Sequence, residues 1–361
     1  MDASAIAGGR EADAGPQAHL PGSSPAEDRY SRQRLFAPIG NAGQALLKRA
    51  RVTMVGCGAT GAASASLLAR AGVGSLTVID RDFVEFSNLQ RQMLFTEEDA
   101  RVALPKAEAA RRRLREINSD VEVISHIEDL SPANARTLLS SADVLLDATD
   151  NFETRYLLND FAVASGTPWI YAAAIGSYAA TMNILPGETA CLACLFPEPP
   201  GGTVETCDTA GILSTAVTVA ASLQVTEALK LLTDQPDRMR RTLLSMDLWT
   251  GERSEVGAGK PRPGCTVCGL RQFRHLTGEG RPHITLCGRN SVQIHEHGRP
   301  IEFADLAERL RPLGQVRFNS LLLRFTYGDI TLSVFPDGRT VVQGTSEVAR
   351  ARALYARFVG S

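Results

Sequence analysis

The chain has 361 residues, 44% hydrophobic and 22% charged, an ordinary globular composition that allows one large domain plus a small one, or two domains. Its formal net charge is −2, and no long basic block is present. These values exclude bulk attraction to nucleic acid or to an anionic membrane as the organising function.

Residues 1–28 are small, polar and rich in Pro and Gly. They lack the basic start and apolar core of a signal peptide and read as a disordered tail. "RVTMVG" at 51–56 is a β-rich run feeding the turn "GCGATG", and "GAASASLLARAG" (61–72) follows with helical character. "SLTVID" (75–80), "VEVISHI" (121–127), "DVLLDATD" (143–150) and "TPWIYAAA" (167–174) continue as strands, with helical patterns at 106–117, 133–141 and 152–165. Strands alternating with helices predict a doubly wound, mostly parallel α/β sheet of Rossmann type. Ligands of such sheets sit at the carboxyl ends of the strands.

After residue 175 the pattern changes. "SYAATMNILPG" alternates as an antiparallel extension would, a long helix is expected over 212–232, and "TLLSMDLW" reads as a further strand. The apolar stretch 212–225 is shorter than the roughly 20 residues needed to span a bilayer, so a cytoplasmic protein with no membrane partner is expected. Residues 29–272 are taken as one domain and 281–361 as a small α+β domain near the size at which a core stands alone. In that last block, "HITLCGRNSVQI" reads as a strand and "IEFADLAERLRP" as a helix. Two or three more strands follow, then a terminal helix with Ser346 as its expected N-cap.

Gly56, Gly58 and Gly61 form G-x-G-x-x-G between a strand and a helix, and Asp80 ends the next strand. Glycine permits a tight turn and close backbone approach, the helix N-terminus offers N–H groups to phosphate, and Asp80 would accept ribose hydroxyls. The motif alone does not choose between a dinucleotide and ATP. "DRDFVEFSNLQRQMLF" places Asp82, Asn88, Arg91 and Gln92 just beyond the ribose carboxylate. Lys106 stands near a helix start, and "LLDATDNFETR" ends a strand with Asp147 and Asp150. Cations beside a strand-end carboxylate suit a triphosphate with Mg²⁺ on Asp150, because that ion needs only one or two carboxylates plus phosphate oxygens and waters.

The seven cysteines are Cys57, Cys191, Cys194, Cys207, Cys265, Cys268 and Cys287. Cys191-x-x-Cys194 and Cys265-x-x-Cys268 form two knuckles whose four thiolates would complete a closed tetrahedral Zn²⁺ site; a redox pair is the alternative. Cys207, in "VETCDTAGIL" before the long helix, is either a thiolate favoured by a helix N-terminus or a small residue without a role. Cys57 and Cys287 read as packing residues. His295 and His297 in "QIHEHG" are either a metal pair or exposed strand polarity.

On "RYSRQ", "GCGATG", "VIDRDFVEFSNLQRQ", "PKAEAA", "DATDN", the two C-x-x-C pairs and "TCDTAG", the chain resembles the ThiF/MoeB-type (HesA/MoeB/ThiF) adenylyltransferases, relatives of the ubiquitin-activating enzymes, over roughly 29–270. The tail resembles the extension of longer thiazole-biosynthesis members. The resemblance implies ATP as nucleotide, with Asp80 on ribose, Asn88, Arg91 and Lys106 on phosphates, and Asp150 as the essential metal-linked carboxylate. It implies a homodimer in which Arg32 reaches the partner's ATP site. It also implies adenylation of the C-terminal carboxylate of a ubiquitin-like sulfur carrier, ThiS-like for thiamine thiazole formation, with Cys207 capturing the activated carrier. A sulfurtransferase or cysteine desulfurase would be the sulfur donor. The alternatives are a MoeB-like enzyme acting on a MoaD-like molybdopterin-synthase carrier and, outside the family, a nicotinamide dehydrogenase.

Overall fold

A computed structural model of the chain describes residues 29–198, 210–278, 285–286, 291–294, 300–336 and 338–360. The tail at 1–28, Cys207, Cys287, His295 and His297 lie outside the described residues.

Eight strands form the larger sheet. They are β1 (Arg51–Val55), β2 (Ser75–Ile79), β3 (Glu122–His126), β4 (Val144–Asp147), β5 (Trp169–Ile175), β6 (Tyr178–Ile184), β7 (Thr242–Asp247) and β8 (Arg253–Gly257). Their order is β3-β2-β1-β4-β5-β6-β7-β8. The first five in that order are mutually parallel, and β6 to β8 are antiparallel. Strands β1 and β4 are apolar runs, buried at every position but Arg51, because helices cover both faces of a parallel sheet. Strand order reverses between β1 and β4, where Val55 is in register with Asp147. The crevice outside those two residues is where this topology places a ligand.

Helix α1 (Ala59–Ala71) leaves the glycine turn, and small residues such as Ala62, Ala63 and Ala65 bury one face of it. That face lets α2 (Ser214–Leu232) lie against it. Across this packing Ser64 Oγ donates to Gln224 Oε1 at 2.9 Å, and Gln224 Nε2 donates to the carbonyls of Asp147 and Ile170 at 2.7 and 2.8 Å. A buried amide therefore ties both helices to the end of β4 that borders the crevice and to the start of β5. Two apolar cores, one containing Leu68, Val78 and Leu114 and the other Leu145, Phe161 and Trp169, carry the sheet.

The C-terminal sheet has six antiparallel strands: β9 (Thr285–Leu286), β10 (Ser291–Ile294), β11 (Gln315–Phe318), β12 (Leu323–Tyr327), β13 (Ile330–Val334) and β14 (Thr340–Gln343). The segment expected to hold two or three strands forms four, because Asn319, Gly328 and Gly338 each break it. Two helices, Phe303–Leu310 and Val348–Phe358, complete its core, in which the Phe325 and Phe358 rings meet edge to face at 5.0 Å. The terminal helix starts one residue later than the sequence suggests: Glu347, not Ser346, is the N-cap, and no side chain caps it. No helix of the described residues is long and apolar enough to cross a membrane.

Candidate active site

The glycine turn opens on a cavity of about 320 Å³ at the crevice between β1 and β4, lined among others by Gly56, Gly58, Asp80, Arg91, Lys106 and Asp150. The three glycines differ in what they do. Gly56 has φ +89°, and a Cβ there would lie 2.5 Å from the Ala148 carbonyl oxygen; at Gly61 it would strike Gly56 O at 2.2 Å. Both are required by the protein's own packing. At Gly58 the nearest atom to a Cβ is Gln92 Nε2 at 3.8 Å, and the residue lines the cavity. Its missing side chain leaves room for a ligand, as a phosphate cradle requires.

Asp80 is fixed by two backbone donors, Cys57 N–H at 2.6 Å and Asp82 N–H at 2.7 Å. Burial pushes its carboxyl above the ordinary value, and nearby Lys106 opposes that shift. Lys106 opens the helix Lys106–Ile117. Its ammonium is almost fully buried and sits 3.2 Å from Asp82 Oδ2. Beside it, Gln92 is 3% exposed, and its Oε1 has no hydrogen-bond partner among the described residues. A buried orphan acceptor, a buried cation and a glycine cradle converge on one space, which fits a polyanionic ligand with hydroxyl groups.

The strand-end carboxylates divide their roles. Asp147 is fully buried and does not line the cavity. It accepts from Arg155 Nε at 3.1 Å and from the Thr149 N–H and hydroxyl at 2.8 and 2.7 Å. Arg155 Nη2 in turn donates to Thr149 O at 2.7 Å, and its guanidinium lies 5.0 Å from the Tyr171 ring centroid. Burial raises the Asp147 carboxyl, and Arg155 opposes it. This pair fixes the turn that presents Asp150, which is exposed and lines the cavity. Arg155 carries no motif signal of its own. A basic residue one helical turn past a strand-end "DATDN" is the only hint of it in the sequence.

Asn88 and Arg32 stand apart. Asn88 is buried, its Oδ1 accepts the Glu85 N–H at 3.1 Å to close a 3₁₀ turn at Phe86–Asn88, and it does not line the cavity. Arg32 lies in a short exposed helix, Ser31–Leu35, and does not line the cavity of its own chain. Ahead of α2, Ile212 lines the cavity, and this segment is held to the tip of the β5–β6 hairpin by Gly176 N–H to Gly211 O at 3.0 Å and Leu213 N–H to Gly176 O at 2.8 Å.

The sulfur atoms of Cys191, Cys194, Cys265 and Cys268 lie within 4.8 Å of one another. Individual Sγ separations are 3.8 Å for Cys191–Cys194, 3.6 Å for Cys191–Cys265 and 3.3 Å for Cys194–Cys268. A tetrahedron of thiolates at about 2.3 Å from zinc has edges of about 3.8 Å, so the four ligands fit that ion. Without a cation, the Cys194 hydrogen bond and burial push the Cys191 thiol up. Four thiolates at this spacing need a positive centre. A redox pair accounts for neither the second C-x-x-C nor its convergence on the first.

A model of the ThiF family matches residues 30–267. The chain belongs to the ThiF family. It is 47% identical over 336 residues to the sulfur carrier protein ThiS adenylyltransferase of Bacillus subtilis (strain 168), covering 92% of this chain and 99% of that one. To the sulfur carrier protein adenylyltransferase of Thermus thermophilus it is 40% identical over 275 residues, 74% of this chain and 92% of the relative. Among solved structures, E. coli MccB with ATP superposes with a TM-score of 0.59 at 25% identity, over 67% of this chain and 74% of that one.

Proposed function

We infer that this ThiF-family protein is an adenylyltransferase that uses ATP to activate the C-terminal carboxylate of a ThiS-type sulfur carrier in thiamine thiazole formation. The observation that carries the reading is the match to the Bacillus subtilis ThiS adenylyltransferase over nearly the whole length of both chains. The cavity supports it: a triphosphate needs the cations and open glycine that line this space.

In the reaction the carrier's carboxylate oxygen bonds to the α-phosphorus, the bond from that phosphorus to the bridging oxygen breaks, and pyrophosphate leaves. The protein's task is alignment and charge neutralisation rather than covalent chemistry. Asp80 holds ribose hydroxyls through acceptor capacity left free by its two backbone donors. Lys106 and Arg91 face the phosphoryl oxygens. Asn88 serves them indirectly, by closing the turn that leads to Arg91. Asp150 would hold Mg²⁺, which would neutralise triphosphate charge. The four cysteines would hold a structural zinc, which ties the segment at 191–194 to that at 265–268. Arg32 reaches the site of a second copy in a homodimer.

Carrier-dependent ATP–pyrophosphate exchange tests the reading. Exchange is expected with a ThiS-type carrier. Exchange with a MoaD-type carrier alone would move the protein to molybdopterin chemistry, and no exchange with either would sink the assignment. One zinc per chain in protein prepared without chelator, and activity regained when inactive Arg32→Ala and Asp150→Ala chains are mixed, test the metal and the dimer.

A further inference from the structure

Between Phe83 and Pro105 the chain makes one excursion from the strands, and Val84, Leu94, Phe95, Ala100 and Leu104 pack it into the core of the larger sheet. Its two ends are zipped together: Phe83 and Pro105 form an antiparallel bridge, and the Val84 N–H donates to Leu104 O at 2.9 Å. The excursion carries Arg91 and Gln92, and Asp82 and Lys106 stand immediately outside its base.

The C-terminal sheet grips that base. Arg324, on β12, pairs with Glu85 at 3.0 Å, and its guanidinium lies 4.4 Å from the centroid of the Phe83 ring. Asn319 Nδ2 donates to Val102 O at 3.3 Å. Arg339 Nη2 donates at 2.7 Å to the carbonyl of Ile127, the residue before cavity-lining Glu128 and Asp129. Leu322, Phe335 and Val341 bury Phe83 and Ala103 in a small core separate from those of the two sheets. Polar links and apolar packing therefore meet at three chain segments, and each runs directly into the cavity wall. The family match ends at residue 267, so the gripping surface lies outside the part that the family model matches, although the alignment to the Bacillus subtilis relative, over 92% of this chain, extends into it.

We propose that the C-terminal sheet positions the nucleotide-binding wall, with Arg324 acting through Glu85 and Phe83 as a positioning residue for Arg91, Gln92 and Lys106. The inference rests on the cavity being the ATP site. Holding Arg91, Gln92 and Lys106 in one geometry for a ligand costs conformational freedom. A base held in advance reduces that cost, and the gain appears as nucleotide affinity rather than as a faster chemical step. The link extends to the turn itself, because the Glu85 backbone N–H donates to Asn88 Oδ1. Arg324 touches neither the cavity nor the reacting atoms.

The experiment is pyrophosphate exchange together with calorimetric binding of a non-hydrolysable ATP analogue, on the full chain. Arg324→Glu places two carboxylates face to face and removes the cation from the Phe83 ring. It is expected to raise KM for ATP and Kd for the analogue by about five- to tenfold, with kcat within about twofold. Arg324→Lys should retain most of the parent's affinity, and Glu85→Arg combined with Arg324→Glu should recover much of it. A merely structural role would lower the fraction of active protein, and so kcat, without moving KM. Unchanged KM and Kd in Arg324→Glu, or a charge-swapped pair no better than the single variant, overturns the inference. Should Arg324→Glu not fold, Asn319→Ala and Arg339→Ala carry the test, and nucleotide affinity unmoved in both overturns it. A parent protein that binds no ATP analogue fails the nucleotide reading itself, and the inference falls with it. A parent that binds and an Arg324→Glu chain that binds equally well fail the inference alone.

Discussion

The Lys106 ammonium sits 3.2 Å from Asp82 Oδ2, and its side chain is 2% exposed whereas that of Asp82 is 26% exposed. The cation is therefore the desolvated member of the pair. It stands where the strand-end carboxylate and the glycine cradle converge, so phosphoryl oxygens that reach it meet a charge little screened by water. Lys106→Met keeps the aliphatic stem and removes that charge. Asp82, left without it, is exposed enough to be solvated, so folding should suffer little. Exchange should fall by about a hundredfold or more, the size seen when one preorganised charge-stabilising group is lost. Activity within tenfold of the parent would remove Lys106 from the site.

The glycines offer a sharper separation of fold from function. Gly56→Ala forces a side chain into φ +89° and against the Ala148 carbonyl at 2.5 Å, which should cost about 2–4 kcal/mol of stability. Gly58→Ala meets no protein atom nearer than 3.8 Å. Its melting temperature should stay close to the parent's while ATP-analogue binding is lost. Thermal melts and calorimetry on the two variants check the contrast. A Gly58→Ala protein that binds the analogue normally would show that no ligand approaches this backbone.

Much of this arrangement is legible in the sequence because it rests on local chemistry. The alternation of β-rich runs and helical patterns, the G-x-G-x-x-G turn and Asp80 each describe a stretch short enough to read directly. The two C-x-x-C knuckles announce themselves by spacing, and their meeting agrees with it. What sequence does not carry is the use of ordinary residues at long range. Asp147 and Asp150 are equivalent on paper, and only the arrival of Arg155 makes one a buried anchor and the other a cavity residue. Gln224 lies in a helix with no polar signal, yet it ties together four elements. Arg324 pairs across 239 positions with Glu85, a relationship that periodicity cannot contain.

Asp160 gives the fold a pH dependence. It accepts the N–H groups of His275 and Leu276 at 2.8 and 3.3 Å. Burial nevertheless pushes its carboxyl up from 3.8 to about 6. The folded state therefore holds this proton more tightly than the unfolded chain. The contribution is fully present below about pH 4 and is lost as pH rises through about 6. Asp160→Asn keeps an acceptor for the backbone donors and has no proton to lose. It should be more stable than the parent at pH 7.5, by about 1–2 kcal/mol, with the difference vanishing toward pH 4. Urea melts at both pH values measure it. An Asn variant less stable than the parent at pH 7.5 would show that the ionised carboxylate is the stabilising form.

Cys207 is proposed to act after adenylation and not during it. It lies five positions before Ile212 in the sequence, and Ile212 lines the cavity. Forming the acyl adenylate, however, requires only carboxylate and ATP, because the carboxylate is already the nucleophile and pyrophosphate the leaving group. Cys207→Ser should therefore keep carrier-dependent pyrophosphate exchange within about twofold, since no group that touches the phosphates has changed. It should lose any thiol-cleavable thioester with the carrier, formed when the Cys207 thiol attacks the acyl adenylate and AMP leaves, seen by mass spectrometry or non-reducing gel, and it should lose sulfur delivery. If the Ser variant stops exchanging pyrophosphate while still binding the ATP analogue, the thiol belongs to the first step. If it delivers sulfur at the parent's rate, Cys207 is a small residue without a chemical role, and the enzyme stands nearer the MoeB-like members, some of which do not need this cysteine.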